Sequence, residues 1–334
     1  MRRTVAVLAL LVAGCSGTGG TTTGTVSASA SSTTGTAGPP VTTTAAIPPD
    51  LPERMLGVGF SPLSFEGSDF DDFWDRAAGA GSVVSHAGRL DELGDPSSVL
   101  GLVAEEAQGR GLAAVIVAHP DFPLTEASVD AYIFDALSFV REHSVTFLGI
   151  GNEVNRLAPD EYEDFVLLFD RLAAAIASVS PSTIVFPVMQ YEWLVGRRDG
   201  LHGDLEVPPT WEVVDDYPAA EAFGITSYPG LVFESPAAMP AGYYADLGEY
   251  TDLPIVVTAT GWQSGDAPNG FAGSEDEQAA FVDRFFDLTA SLPIAIAAWT
   301  HVYDQDAPVP FDTMGLVGAD GSDRPAWNRW AAGG

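Results

Sequence analysis

The chain has 334 residues, 46% of them hydrophobic, and sets 46 acidic side chains against 14 basic ones for a formal net charge of −32. All of the basic residues are arginine. Such a balance excludes the basic surface that nucleic-acid binding requires, and it excludes docking on anionic lipid by charge.

Met1 to Cys15 reads MRRTVAVLALLVAGC. Arg2 and Arg3 form a positive start, and Thr4 to Val12 is a short apolar run. This is a secretory signal, too short to span a bilayer. Its ending, Val12-Ala13-Gly14-Cys15, resembles the lipobox of prokaryotic lipoproteins. The resemblance implies cleavage before Cys15 and lipidation of its thiol. Cys15 is the only cysteine, so it has no disulfide partner within the chain. Residues 16–50 are almost entirely Ser, Thr, Gly, Ala and Pro, with too little apolar surface to fold. A flexible tether of about 35 residues reaches roughly 30–35 Å. The expected location is therefore the cell surface of an exporting cell, with the membrane engaged through the lipid alone.

From Leu51 to Gly334 apolar runs alternate with amphipathic stretches. No second linker interrupts them, so one domain is expected. The runs are Met55–Pro62, Ser82–Arg89, Leu112–Pro120, Val145–Glu153, Thr183–Gln190, Ala222–Pro229, Leu253–Trp262 and Ile294–His301. Leu112–Pro120, read LAAVIVAHP, is nearly all apolar, as a parallel strand buried on both faces must be. Helical spacing separates the runs, at Phe70–Ala80, Ser97–Arg110, Ser128–His143, Glu161–Val179, Trp211–Tyr217, Met239–Gly248 and Ser274–Leu292. A closing helix is expected at Arg324–Ala332. Eight strands and about eight helices predict a single (β/α)8 TIM barrel. The alternative is a doubly wound open sheet, but no GxGxxG follows any strand.

In such a barrel the chemistry sits at the carboxyl ends of the strands. The fourth run ends FLGIGNEVN, which places Glu153 on the rim with Asn152 beside it to bond a substrate hydroxyl. The same rim receives His86 and Arg89 after strand two, His119 after strand three, Tyr191 and Trp193 after strand five, and Tyr228 after strand six. Trp262 and Trp299 end strands seven and eight. The five histidines show no paired metal-ligand spacing, so no metal and no cofactor are expected.

Asn152-Glu153 at the end of strand four resembles the acid/base signature of the clan A glycoside hydrolases, which are retaining enzymes on this barrel. His119, Tyr228 and Trp299 stand where that clan places sugar contacts and a tyrosine supporting the nucleophile. The segment PIVVTATGWQS resembles the strand-seven motif of families cleaving β-1,4-galactan and β-1,3-glucan. The tail MGLVGADGSDRPAWNRW resembles the clan's closing segment. The resemblance covers the chain after about Pro52. It implies Glu153 as acid/base, with Asn152, His119 and Trp299 as substrate-binding residues; Trp262, Tyr191 and Trp193 are expected to join them, because aromatic rings on the rim offer stacking faces to a sugar. It also implies an oligosaccharide or polysaccharide partner; the chain is expected to be a monomer.

The departure falls at the nucleophile. Clan members read Glu where this chain has Ala259. Retaining hydrolysis needs two carboxylates about 5–5.5 Å apart, and alanine cannot form a glycosyl-enzyme. The expected function is recognition of a β-linked polysaccharide without efficient hydrolysis. One alternative is a hydrolase using a carboxylate supplied by the substrate or displaced to Asp266, Asp304 or Asp306. The other is a scaffold with a relic cleft.

Overall fold

Each apolar run becomes one strand, and the strands pair in chain order. In the computed structural model, which describes residues 54–198, 205–267 and 270–333, they are β1 (Met55–Gly59), β2 (Val83–Arg89), β3 (Ala113–His119), β4 (Phe147–Ile150), β5 (Ile184–Gln190), β6 (Phe223–Ser227), β7 (Ile255–Thr260) and β8 (Ile294–Trp299). All neighbours are parallel, and β8 returns to β1 with Trp299 opposite Val58, closing the barrel. The fold is the expected (β/α)8 barrel. Met1 to Glu53, with Cys15 and the tether, lie outside the described residues.

The helices are α1 (Ser68–Ala80), α2 (Val99–Gly109), α3 (Glu126–His143), α4 (Pro159–Val179), α5 (Tyr191–Leu194), α6 (Leu247–Tyr250), α7 (Glu275–Thr289) and α8 (Pro325–Ala332). Local caps set their starts. Ser128 N–H donates to Thr125 Oγ1 at 3.1 Å, and Thr125 N–H donates to Ser128 Oγ at 2.9 Å. That reciprocal pair starts α3 two residues before the spacing predicts. Ser274 caps α7 by accepting from Glu277 N–H at 3.2 Å. Among the described residues no helix is long and apolar enough to cross a membrane.

Strand alternation divides the apolar residues into two cores. Val115, Val117, Phe147, Ile184, Phe186, Val188 and Val256 fill the barrel interior. The remainder, including Trp74, Phe169, Trp299 and Trp330, pack between barrel and helices. Phe186 fills its space because Gly224 on the neighbouring strand has no side chain. A Cβ there would stand 2.7 Å from both the Phe186 ring and the Pro187 carbonyl.

Two expected elements differ. A regular helix over Met239–Gly248 does not form; turns lead to the single turn of α6. Pro240 and Gly242 disfavour helix there. The non-helical backbone leaves the Tyr243 carbonyl free to accept the Tyr191 hydroxyl. Trp211–Asp216 is a 3₁₀ helix. Beyond β8, a short ladder pairs His301–Tyr303 with Gly315–Val317. The buried Arg324 clamps it with 2.7 Å bonds to both Asp304 oxygens and a 2.6 Å bond to the Gly315 carbonyl.

Candidate functional site at the barrel mouth

The inward face of the barrel is apolar below and becomes polar at the carboxyl ends. On β3, Val115 and Val117 fill the interior, so His119 faces the mouth two residues on. Ala222, just before β6, lies inside, and Thr226 follows on the same face. Small residues keep the mouth open: Ala87 on β2 is exposed, and Ala259 is the only partly exposed residue of β7.

β4 ends in a tight reversal. Gly151 has φ of +77°, and Val154 and Phe165 occupy the space a side chain would need. Glu153 is itself left-handed, with φ of +54°. For a non-glycine residue that costs on the order of 1 kcal/mol, and such strain concentrates at functional sites. The turn projects the carboxylate across the mouth to β6. Thr226 Oγ1 donates to Glu153 Oε1 at 2.8 Å, and the Arg156 guanidinium donates to Oε2. Both side chains of this ion pair are mostly buried, at 15% and 19% exposure. Arg156 also lies over the Trp193 ring, 5.7 Å from its centroid.

Asn152 N–H donates to His119 Nδ1 at 3.1 Å. An accepting Nδ1 leaves the proton of a neutral imidazole on Nε2. Burial lowers the His119 pKa, and the nearby Asp121 and Glu153 charges oppose that shift. His119 is thus a neutral donor at the rim. Asn155 exchanges 2.8 and 2.9 Å bonds with the Gln190 backbone and ties the β4 turn to β5. Tyr228 is buried with its ring edge-on to Phe311 at 4.9 Å. Burial raises its pKa first, followed by the Glu153 and Glu192 charges.

The structure therefore brings Asn152, Glu153, His119, Tyr228, Trp193 and Ala259 to the same, carboxyl end of the barrel strands. Ala259 lies across the β6–β7 ladder from Thr226, the residue bonded to Glu153.

Three expected sugar contacts are elsewhere. Trp299 is fully buried on the outward face of β8, donating to the Met314 carbonyl at 2.7 Å and packing 5.4 Å from Trp330. Trp262 is fully buried against Phe281 at 5.4 Å. Tyr191 is fully buried among Trp211, Tyr243 and Tyr244. None offers a ring face to a sugar; all three are packing residues. His86 packs edge-on against Phe60 at 5.4 Å, and burial lowers its pKa to about 4. Arg89 is paired with Asp91 and Asp121. Asp304 is committed to Arg324, Asp306 is exposed, and Asp266 bridges to Ala272. None of these three acids contacts Glu153.

Three mouth residues, Thr226, Arg156 and Asn155, and the buried Glu192 beneath them were not singled out by the sequence. Thr226 and Arg156 carried a signal. Thr226 precedes Tyr228 by one strand period, and Arg156 follows Glu153 by one helical turn. A separate pocket of about 400 Å³ lies beside the stacked Trp211 and Tyr250 rings, and its lining includes no mouth residue. Among the described residues no three His, Cys, Asp or Glu side chains converge as a metal site would require.

No protein-family model matches the chain, and no curated protein matches it in sequence. Solved structures do resemble it. A family 39 glycoside hydrolase from the gut symbiont Bacteroides cellulosilyticus WH2 superposes with a TM-score of 0.59 at 18% identity, over 83% of this chain and 62% of that one. An exo-β-1,4-mannosidase from Opitutaceae bacterium strain TAV5 gives 0.60 at 13% identity, over 83% and 58%. A Rhizomucor miehei β-1,3-glucanosyltransferase in complex with laminaritriose gives 0.55 at 13%, over 81% and 96%. The chain thus spans about three-fifths of the first two proteins. These neighbours share the (β/α)8 barrel fold of this chain.

Proposed function

We propose that the chain is a surface lipoprotein whose barrel mouth binds a β-linked polysaccharide without hydrolysing it efficiently. The observation that carries this reading is Ala259. It occupies the place beside Thr226 where the resemblance puts a nucleophilic carboxylate, while Glu153 is still presented across the mouth. Glu153 is moreover an acceptor on both oxygens, one of them held by Arg156. Proton donation to a leaving group would require it to release that ion pair. A sugar has what it needs to dock: the His119 donor, the Asn152 amide, and the Trp193 ring partly exposed beside Arg156. The glycoside hydrolases and glucanosyltransferase among the structural neighbours support a carbohydrate partner.

The protein, screened on immobilised β-glucans, β-galactans and β-mannans, is expected to retain one polymer class and to release no new reducing ends from it. Rapid reducing-end release, abolished by Glu153→Gln, would replace this reading with that of a working hydrolase.

Cys15→Ser is expected to move the protein from the membrane fraction to the soluble fraction without altering its circular dichroism. The acidic domain offers anionic lipid no attraction, and a lipid anchor supplies the attachment. Membrane retention at the wild-type level would overturn the lipoprotein assignment.

A further inference from the structure

Glu192 is 3% exposed in the α5 turn, directly after β5. Four donors surround its carboxylate. Oε1 accepts from the Ser227 hydroxyl at 2.7 Å, the Tyr243 hydroxyl at 3.1 Å and the Tyr228 backbone N–H at 3.2 Å. Oε2 accepts from the Gln190 side-chain amide at 2.5 Å. The oxygen of that same amide accepts the Trp193 backbone N–H at 2.7 Å. Tyr244 lies 2.9 Å from Ser227 Oγ, whose proton is directed at Glu192, so Tyr244 is the donor of that bond.

The groups facing Glu192 are all neutral. Tyr191 comes from its own turn, Tyr228 from the end of β6, and Tyr243 and Tyr244 from the segment before α6. Among the described residues no arginine is paired with it. Burial therefore dominates and raises its pKa to about 7, against the opposing pull of the hydrogen bonds.

One carboxylate thus ties its own α5 turn to the end of β6, each carrying a residue of the mouth. Through Gln190 it holds Trp193, over which Arg156 lies on its way to Glu153. Directly it holds the backbone of Tyr228, whose phenol lies within the field of Glu153. We infer that Glu192 is a positioning residue of the cleft, fixing Trp193 and Tyr228 relative to each other from beneath the rim. Its value for sugar binding rests on the proposed reading of the mouth; its action on the two residues does not.

The network is satisfied by the ionised form, since all four neighbours donate. A proton on Oε2 would oppose the Gln190 amide hydrogens. To accept that proton, Gln190 must turn its oxygen toward Glu192, which removes it from Trp193. Acidification through the Glu192 transition should therefore release Trp193 from its anchor and weaken the bond to Tyr228 together.

The test is amide NMR of the purified protein, labelled with ¹⁵N-tryptophan and ¹⁵N-tyrosine, from pH 5 to 9. The Trp193 and Tyr228 resonances are expected to follow one shared transition, absent in Glu192→Gln. In Gln190→Ala, Tyr228 should keep the transition while Trp193 loses it, because only Trp193 is held through the glutamine. A Trp193 amide that does not titrate in the wild type would overturn the inference. So would a shared transition that survives in Glu192→Gln. No sugar enters this measurement, so its failure is distinct from a failure to bind polysaccharide.

Discussion

Ala259→Glu is expected to give the chain β-glycosidase activity about 10³-fold or more above the wild type, because catalytic groups that act as a unit lose or regain function together. The side chain at 259 faces the mouth from the strand next to Thr226, and Thr226 donates to Glu153. A carboxylate introduced there would stand on the far side of the sugar from Glu153, as a retaining pair requires. It would attack the anomeric carbon while Glu153 gave its proton to the leaving oxygen. Glu153 would then take a proton from water to release the glycosyl-enzyme. In the wild type both Glu153 oxygens are occupied, one by the Thr226 hydroxyl and one by the Arg156 guanidinium. The assay is release of a chromogenic aglycone across a panel of aryl β-glycosides. A variant that folds, binds sugar and remains inert would show that the mouth has been remodelled beyond the missing side chain.

Phe186→Ala is expected to cost about 3–5 kcal/mol of stability. The ring is fully buried at the centre of the barrel, against Gly149 and Gly224. Neither glycine can fill the cavity, and the closed ladder of strands resists collapse into it. Chemical denaturation followed by circular dichroism should show a much lower midpoint. A loss below about 1 kcal/mol would mean that the interior is looser than its packing indicates.

The barrel was legible in the sequence because its strands are buried on both faces. Ala113–His119 has no polar residue before its last, so the run stands out whatever its register. The same property hid the direction of the rings. In a strand with two apolar faces, a shift of one residue exchanges the mouth for the helix layer, and nothing in the sequence fixes that choice. Trp299 therefore read as a rim aromatic, although it packs outward against Trp330. Tyr191 failed for a related reason. It looked exposed beside a loop, but the Met239–Gly248 segment lacks a regular helix and brings Tyr243 and Tyr244 over it. Glu153 was legible because a glycine-flanked carboxylate at a strand end has one natural place, the rim. Glu192 was not, because its four donors come from three segments that are distant in sequence or hidden by the fold.

The proposed function requires an intact cleft that lacks one carboxylate at Ala259. The most direct measurement is wild-type turnover of an activated dinitrophenyl β-glycoside with and without azide, with the product's anomeric configuration read by NMR. Azide is small enough to occupy the space of the absent side chain and attack the anomeric carbon from the face opposite the leaving group. The expected result is negligible turnover alone and clear acceleration with azide, yielding the inverted α-glycosyl azide. Brisk turnover without azide, unchanged on adding it and abolished by Glu153→Gln, would contradict the account.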